Sequence, residues 1–125
     1  MAITCIRSRP ESAVRSRRAT ALTVGVTSQR VISALGDIDA GNAKSFADQV
    51  CALVADDRHV FVDLSGLGFF AVDGGTALHA INAVVMRRGA AWSVIPSRGV
   101  SRVLGLCDPA CLIPLADAEA LAQPA

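Results

Sequence analysis

The stretch His59-Val60-Phe61-Val62-Asp63-Leu64-Ser65-Gly66-Leu67-Gly68-Phe69-Phe70-Ala71-Val72-Asp73-Gly74-Gly75 decides how this chain folds. Its first six residues form a short apolar run rich in β-branched and aromatic side chains. With helical patterns on both sides, such a run reads as a central strand buried on both faces. The glycine-rich turn after it leads into a helix from about Gly74 to Arg88. Leu78, Ile81, Val84 and Val85 make that helix's apolar stripe. Arg87 and Arg88 fall in its last turn, where cations suit the dipole, and Gly89 is a fitting stop.

Outward toward the N-terminus, Phe46, Ala47, Val50, Leu53 and Val54 recur at helical spacing from about Ala43, with Lys44, Ser45, Asp48 and Gln49 on the wet face. The turn formers Gly36 to Asn42 precede that helix. Ala21–Val26 alternates with period two. It is separated from a second strand, Arg30–Leu35, by Thr27-Ser28-Gln29, which suggests a hairpin. Toward the C-terminus, Ala90–Ile95 reads as a strand, and Pro96 or Ser97 opens a helix over Arg98–Leu106. Cys111–Leu115 reads as a last short strand, and Asp117 as the cap of a final helix through Ala122. The order β-β-α-β-α-β-α-β-α predicts an α/β domain: a mixed, mostly parallel sheet of four to five strands flanked by four helices.

The chain has 125 residues, 52% of them hydrophobic and 18% charged. That length and apolar content fit one domain with one core and argue against disorder. The net charge of +1 hides an asymmetry. Residues 1–18 carry Arg7, Arg9, Arg15, Arg17 and Arg18 against Glu11, a net of +4, and the rest carries −3. This divides the chain into a basic, flexible arm over 1–18, a folded domain over 19–122 and a frayed end over 123–125. The arm reads either as a contact for an acidic surface or as a solvated leader, and its lack of aromatic residues favours the leader. With so little net charge, no direct DNA binding is expected. The longest uncharged run, Gly74–Met86, is too short to span a membrane. No secretory pattern opens the chain, so a cytoplasmic location is expected.

Reducing surroundings would leave Cys5, Cys51, Cys107 and Cys111 as thiols. Their spacing does not make a metal site, so none is expected. Cys107 and Cys111 are the one close pair and a candidate redox switch, although Pro109 between them works against a shared helical face.

Three segments carry a family resemblance. Gly36-Asp37-Ile38-Asp39-Ala40-Gly41-Asn42-Ala43 resembles the Gly-Glu-Leu-Asp turn leading into the first helix of STAS domains. Asp63-Leu64-Ser65, then Phe69 and Gly74, resembles that family's Asp-Leu-Ser…Phe…Asp-Ser-Ser-Gly segment. Pro96–Leu104 is similar to its later turn and helix. The similarity runs from about Ala19 to Leu121. It implies the STAS fold and a bacterial anti-sigma factor antagonist. Such a protein binds an anti-sigma factor of kinase fold, which controls the availability of a sigma factor by partner switching. In the family, that kinase phosphorylates a Ser or Thr just before the second helix, and the phosphate breaks the complex.

The same alignment places Asp73 at the phosphorylated position, with Ala71 and Val72 replacing the family's Asp and first Ser. Asp73 is therefore the phosphosite equivalent without a hydroxyl. It reads first as an N-cap of the second helix and, compatibly with that, as a fixed charge that partly imitates a phosphate. The resemblance makes Asp39, Asp73, Gly74, Gly75 and Thr76 the partner-binding candidates. Asp39 is also a natural turn residue. His79 joins them because it shares a helical face with Asn82 and Met86. Gly74-Gly75 before a helix could cradle a phosphate, but no Walker pattern surrounds it, and close packing of the turn is the better reading.

No catalytic residues are assigned: neither His59 nor His79 has a Ser or Cys nucleophile at a recognisable spacing. The expectation is a non-enzymatic regulatory domain without cofactor, with room for a homodimer. The alternative is a small-ligand-sensing or scaffold STAS module of a larger signalling complex.

Overall fold

The structure is a computed structural model and describes residues 3–5, 21–26, 30–54, 59–117 and 119. The chain order is β1 Ile3–Cys5, β2 Ala21–Val26, β3 Arg30–Ile38, α1 Ala43–Leu53, β4 His59–Asp63, β5 Leu67–Phe70, α2 Val72–Arg87, β6 Ala91–Ile95 and α3 Arg98–Cys107. The sheet is mixed and mostly parallel, in the order β1-β2-β3-β4-β6. β2 and β3 form the expected antiparallel hairpin, with Val24 opposite Ile32. β3, β4 and β6 run parallel. Within the basic arm, Ile3–Cys5 lies parallel beside β2; the rest of the arm falls outside the described residues.

Alternation along the central strands sends Ile32, Ala34, Val60, Val62, Trp92 and Val94 to one face. There they meet Phe46 and Val50 of α1, Leu78, Ile81 and Val85 of α2, and Val100, Val103 and Leu104 of α3 in a single buried cluster. All three helices therefore share this side of the sheet. Phe46, Leu78 and Ile81 are fully buried, each worth roughly 1.5–3 kcal/mol in transfer free energy. The Trp92 indole donates to Asn82 Oδ1 at 2.9 Å, which lets a buried ring keep its N–H satisfied.

α1 has no basic residue in its last turn, and its final carbonyls are served from elsewhere. Arg88 Nη1 donates to Cys51 O at 2.8 Å and to Val54 O at 3.4 Å, and Arg30 Nη1 donates to Leu53 O. Residues from β3 and from the end of α2 thus cap the end of α1 where the negative dipole lies. Gly89, at φ 67°, turns the chain out of α2 in the left-handed region. Ser97 caps α3 by accepting from Val100 N at 3.2 Å.

Three expectations need correction. β3 runs on through Gly36, at φ 105°, to Ile38, where a turn was expected. Its register against β5 shifts between Gly36 and Ile38, so the strand absorbs an irregularity instead of ending. Leu67–Phe70, which reads as part of a glycine-rich turn, is the strand β5 on that far end of β3. Cys111–Leu115 is not a strand: Leu115 makes one isolated bridge to Val94. The reason is Asp108, whose carboxylate accepts from Leu112 N and Ile113 N at 2.9 Å each and folds these residues into a loop. Three helices are present among the described residues, and the fourth, expected after Asp117, lies largely outside them.

Arg88 is exposed, so its two bonds to α1 are partly screened. Arg88→Ala should cost about 1 kcal/mol, read as a lower urea midpoint at unchanged slope. An unchanged midpoint would show that Arg30 alone suffices as the cap.

Candidate functional site

The far end of β3 gathers the residues that the sequence singled out. Ile38 pairs with Phe70, and Ala71 N donates to Ile38 O at 2.9 Å. Asp37 Oδ1 accepts from Phe69 N at 2.8 Å. These contacts set the start of α2 beside the turn that starts α1.

That turn is closed by its own side chains. Asp39 Oδ1 accepts from Gly41 N at 2.9 Å and from Asn42 N at 3.2 Å. Asn42 is buried; its Oδ1 accepts from Asp39 N and its Nδ2 donates to Asp37 O, both at 2.9 Å. Asp39 is thus half-buried and holds an Asx turn. Asn42, which the sequence reading passed over as a turn former, is the second half of the same lock.

Asp73 is not the N-cap of α2. The cap position belongs to Ala71, in extended backbone at φ −83° and ψ 166°, and Val72 is already helical. Gly74 N donates to Ala71 O at 2.8 Å, so the first turn closes one step before Asp73 could cap it. Asp73 sits within that first turn as its acidic residue, exposed. Among the described residues its carboxylate has no hydrogen-bond or ion-pair partner. Its charge still lies at the positive end of the helix dipole.

The two glycines after it are packed, not open. A Cβ on Gly74 would stand 2.5 Å from the Phe70 ring, and one on Gly75 would stand 2.4 Å from Cys107 Sγ and 3.1 Å from Val103 Cγ1. Gly74 therefore lets α2 start over Phe70, and Gly75 lets α3 approach α2. A phosphate cradle would need room that these side chains fill. Thr76 is exposed on the next turn.

Exposed apolar residues lead up to the charge along the chain. Phe69 in β5 is 57% exposed and Val72, immediately before Asp73, 56%. This rim of the domain thus offers aromatic and aliphatic surface on the same segment as the carboxylate, a combination suited to a protein partner.

His79 lies elsewhere, half-buried between α2 and α3. Its Nε2 is 3.0 Å from Cys107 O and 4.0 Å from Asp108 Oδ1. With Asn82 held by Trp92, two of the three residues on the expected partner-facing stripe are used inside the fold; only Met86 is strongly exposed. Cys107 is half-buried against Gly75, and Cys111 is exposed at φ 57°; both are free thiols, as is Cys51. Burial pushes the Cys51 thiol up, with Arg88 opposing, which makes it a poor nucleophile.

One pairing was invisible in the sequence. His59 Nε2 lies 2.8 Å from Ser93 Oγ across the β4–β6 pair, because the register sets His59 one step from Ser93 on the same face. Burial holds His59 below its ordinary value, so the ring is neutral near pH 7 and rests against Phe61. A hydrolytic dyad also needs a group orienting the other ring nitrogen and donors for an oxyanion. Among the described residues the other ring nitrogen has no hydrogen-bond partner, and the pair ties two strands together. Ser65 has a similarly local role, its N and Oγ donating to Asp63 Oδ1 at 3.0 and 2.6 Å to end β4. The described residues include no group of His, Cys, Asp and Glu able to hold a metal. No helix among them is long and apolar enough to cross a membrane.

Comparison with known proteins agrees with this architecture. The chain is similar to the crystal structure of an anti-sigma factor antagonist from Mycobacterium paratuberculosis. The TM-score is 0.68 at 22% identity, over 87% of this chain and 97% of that one. It is also similar to the anti-sigma factor antagonist SpoIIAA in its unphosphorylated form. There the TM-score is 0.62 at 16% identity, over 83% of this chain and 93% of that one. No family model matches the sequence, and no curated protein does either. The fold is the STAS fold of these antagonists, as the sequence motifs led one to expect.

Gly74→Ala should destabilise the domain by roughly 1–3 kcal/mol, because a buried ring cannot swing away. Gly75→Ala should cost less, since the Cys107 thiol can rotate. Thermal or urea unfolding of both variants checks that order. Asp108 provides a second test. The Ile113 N–H, helped by the Leu112 N–H and the nearby His79, holds its carboxyl below the ordinary value against the opposing effect of burial. Its stabilisation is present above the ordinary carboxylate range and is lost as pH falls through the lowered folded value. Asp108→Asn should therefore flatten the acid limb of the stability curve below about pH 4. A limb of unchanged slope would locate acid sensitivity elsewhere.

Proposed function

We propose that this protein is a non-enzymatic, partner-binding STAS module of the anti-sigma factor antagonist type. Its partner is an anti-sigma factor of kinase fold, whose capture controls the availability of a sigma factor. The similarity to two antagonist structures supports the general role. The observation that carries the specific reading is Asp73, an exposed carboxylate in the first turn of α2 with no partner among the described residues, on a segment that also exposes Phe69 and Val72. A side chain at this position touches its own domain little, so its charge acts mainly on whatever docks there.

In this reading the usual phosphorylation switch is absent at position 73. A carboxylate cannot accept a phosphoryl group from a serine kinase as a stable ester, and it carries about half the charge of a phosphate. The partner's matching surface must supply a cation to a permanent anion, next to an apolar patch that receives Phe69 and Val72. Asp39 takes part through the shape of its turn, because its carboxylate already serves two backbone N–H groups. This reading depends neither on a redox pairing of Cys107 with Cys111, both free thiols, nor on a homodimer.

Affinity capture on the full chain in its own host, followed by identification of the retained proteins, tests the reading. The expected result is an anti-sigma factor with an ATP-binding kinase domain. Asp73→Arg should weaken its retention roughly tenfold or more by like-charge contact. Asp73→Ser should gain a phosphate when incubated with that protein and ATP, while the native chain gains none. Retention of no anti-sigma factor, or indifference of the complex to both substitutions, would sink the proposal.

A further inference from the structure

Cys107 and Cys111 take no part in the site at Asp73, and the fold places these two free thiols unequally. Cys107 ends α3, half-buried. Its Sγ fills the space that a side chain at position 75 would take, since a Cβ on Gly75 would stand 2.4 Å from it. Cys111 is exposed, in left-handed backbone at φ 57°. That region is uncommon for a residue with a side chain, and no other non-glycine among the described residues adopts it.

Asp108 accounts for the closeness of the pair. It follows Cys107 directly, and its N donates to Leu104 O at 2.8 Å, which fixes it to the end of α3. Its O accepts from Cys111 N at 3.0 Å. Its carboxylate accepts from Leu112 N and Ile113 N at 2.9 Å each. One residue thus grips the chain at Cys111 and just beyond it. Asp108-Pro109-Ala110-Cys111 is a turn with Asp first and Pro second, the positions each favours. Pro109 keeps the two cysteines off one helical face but builds the turn that joins them. Such a turn holds its end Cα atoms within ~7 Å, and a disulfide needs ~4.4–6.8 Å between its own. Cys107 adjoins one end of the turn and Cys111 is the other, so a small rearrangement brings the two sulfurs together.

A bond between them reaches beyond the loop. Bonded sulfurs stand ~2 Å apart, and the space over Gly75, between α2 and α3, has no room for a second one. Cys107 Sγ must therefore turn out of that seat. The Cys107 backbone stays in place, its O 3.0 Å from His79 Nε2. What is lost is the contact at Gly75, in the first turn of α2.

We propose that Cys107 and Cys111 form a reversible disulfide under peroxide, and that this bond loosens α3 from the first turn of α2. Exposed Cys111 reacts first. Its thiolate sulfur attacks one oxygen of hydrogen peroxide, the O–O bond breaks, and hydroxide leaves a sulfenic acid behind. The Cys107 thiolate, swung out of its seat, attacks that sulfur; the S–S bond forms, the S–O bond breaks and a second hydroxide leaves. The two thiol protons turn both hydroxides into water, and two electrons pass from the sulfurs to the peroxide. The bond and its effect on α2 are independent of which partner docks at Asp73.

The test treats the full chain with hydrogen peroxide and reads it by peptide mass spectrometry. Trypsin leaves Cys107 and Cys111 together on Val103–Ala125, with Cys5 and Cys51 on two other peptides. The expected result is loss of two hydrogens from Val103–Ala125, restored by dithiothreitol. Amide exchange over the first turn of α2 should rise roughly tenfold in the oxidised chain and fall back on reduction. Cys107→Ser should trap Cys111 as a sulfenic acid that dimedone captures, and its α2 exchange should ignore peroxide. Cys111→Ser should slow the oxidation of Cys107 roughly tenfold. No loss of two hydrogens, a cross-link from either cysteine to Cys5 or Cys51, or a bond that leaves exchange in α2 unchanged overturns the proposal.

Discussion

The acidic rim depends on how the last residues of β3 hold β5. One backbone bond, Ala71 N to Ile38 O at 2.9 Å, and one side-chain bond, Phe69 N to Asp37 Oδ1 at 2.8 Å, fasten the segment before α2 to the segment before α1. Neither helix could otherwise place its first turn with any accuracy, because helix starts fray unless their N–H groups find partners. Phe70 faces inward, buried under Gly74, so Phe69 must face outward, and the period of a strand gives no third choice. The exposed ring beside Asp73 is therefore a consequence of the fold's own pairing. Its exposure costs the domain little and leaves it available to another surface.

Below the rim, the close approach of the helices rests on absent side chains. Gly74 admits the Phe70 ring and Gly75 admits Cys107 and Val103. His79 then bridges to Cys107 O, and Asp108 gathers the loop beyond α3. α2 is thus clamped along its length: by glycine contacts at its start, His79 in the middle, Asn82 to Trp92 further on, and Arg88 beyond its end reaching α1. A helix fixed in this way presents Asp73 on a rigid support. The side chain facing a partner is then set by the scaffold and does not have to be ordered on binding.

The parts of this arrangement that were legible in the sequence are those written in periodicity. The stripe Leu78–Ile81–Val85 carries period 3.6 and Ala21–Val26 period two, while His59–Asp63 shows as a short apolar, β-branched run between helical patterns. β5 was not legible, because Gly66 and Gly68 on either side of Leu67 look like turn residues; only the tertiary pairing with β3 makes Leu67–Phe70 a strand. The same limit hid the first turn of α2. Val72 read as loop and Asp73 as the cap, because Ala71, with no capping side chain, gave no start signal and Asp73 offered one. Asn82 and His79 looked like a surface stripe since each is polar at helical spacing. Their partners, Trp92 Nε1 and Cys107 O, come from other elements, and spacing along one helix carries no information about those. Ser93 facing His59 is invisible for the same reason.

The position of Asp73 separates two quantities that are usually entangled. Were it an N-cap making two hydrogen bonds, its removal would cost the domain ~1–2 kcal/mol, and any loss of binding would be confounded with loss of fold. As an exposed first-turn residue without a partner among the described residues, it contributes mainly the dipole interaction, ~0.3–1 kcal/mol and less at physiological salt. A buried interface is a different environment. There an unmatched charge costs several kcal/mol and a matched one recovers it. The same carboxylate is thus nearly silent in the free domain and a large term in a complex, whichever sign that term takes. A phosphate at this position would obey the same asymmetry with about twice the charge. A fixed aspartate keeps the energetic lever of the site and gives up only the means of switching it, so discrimination must reside in the partner's surface.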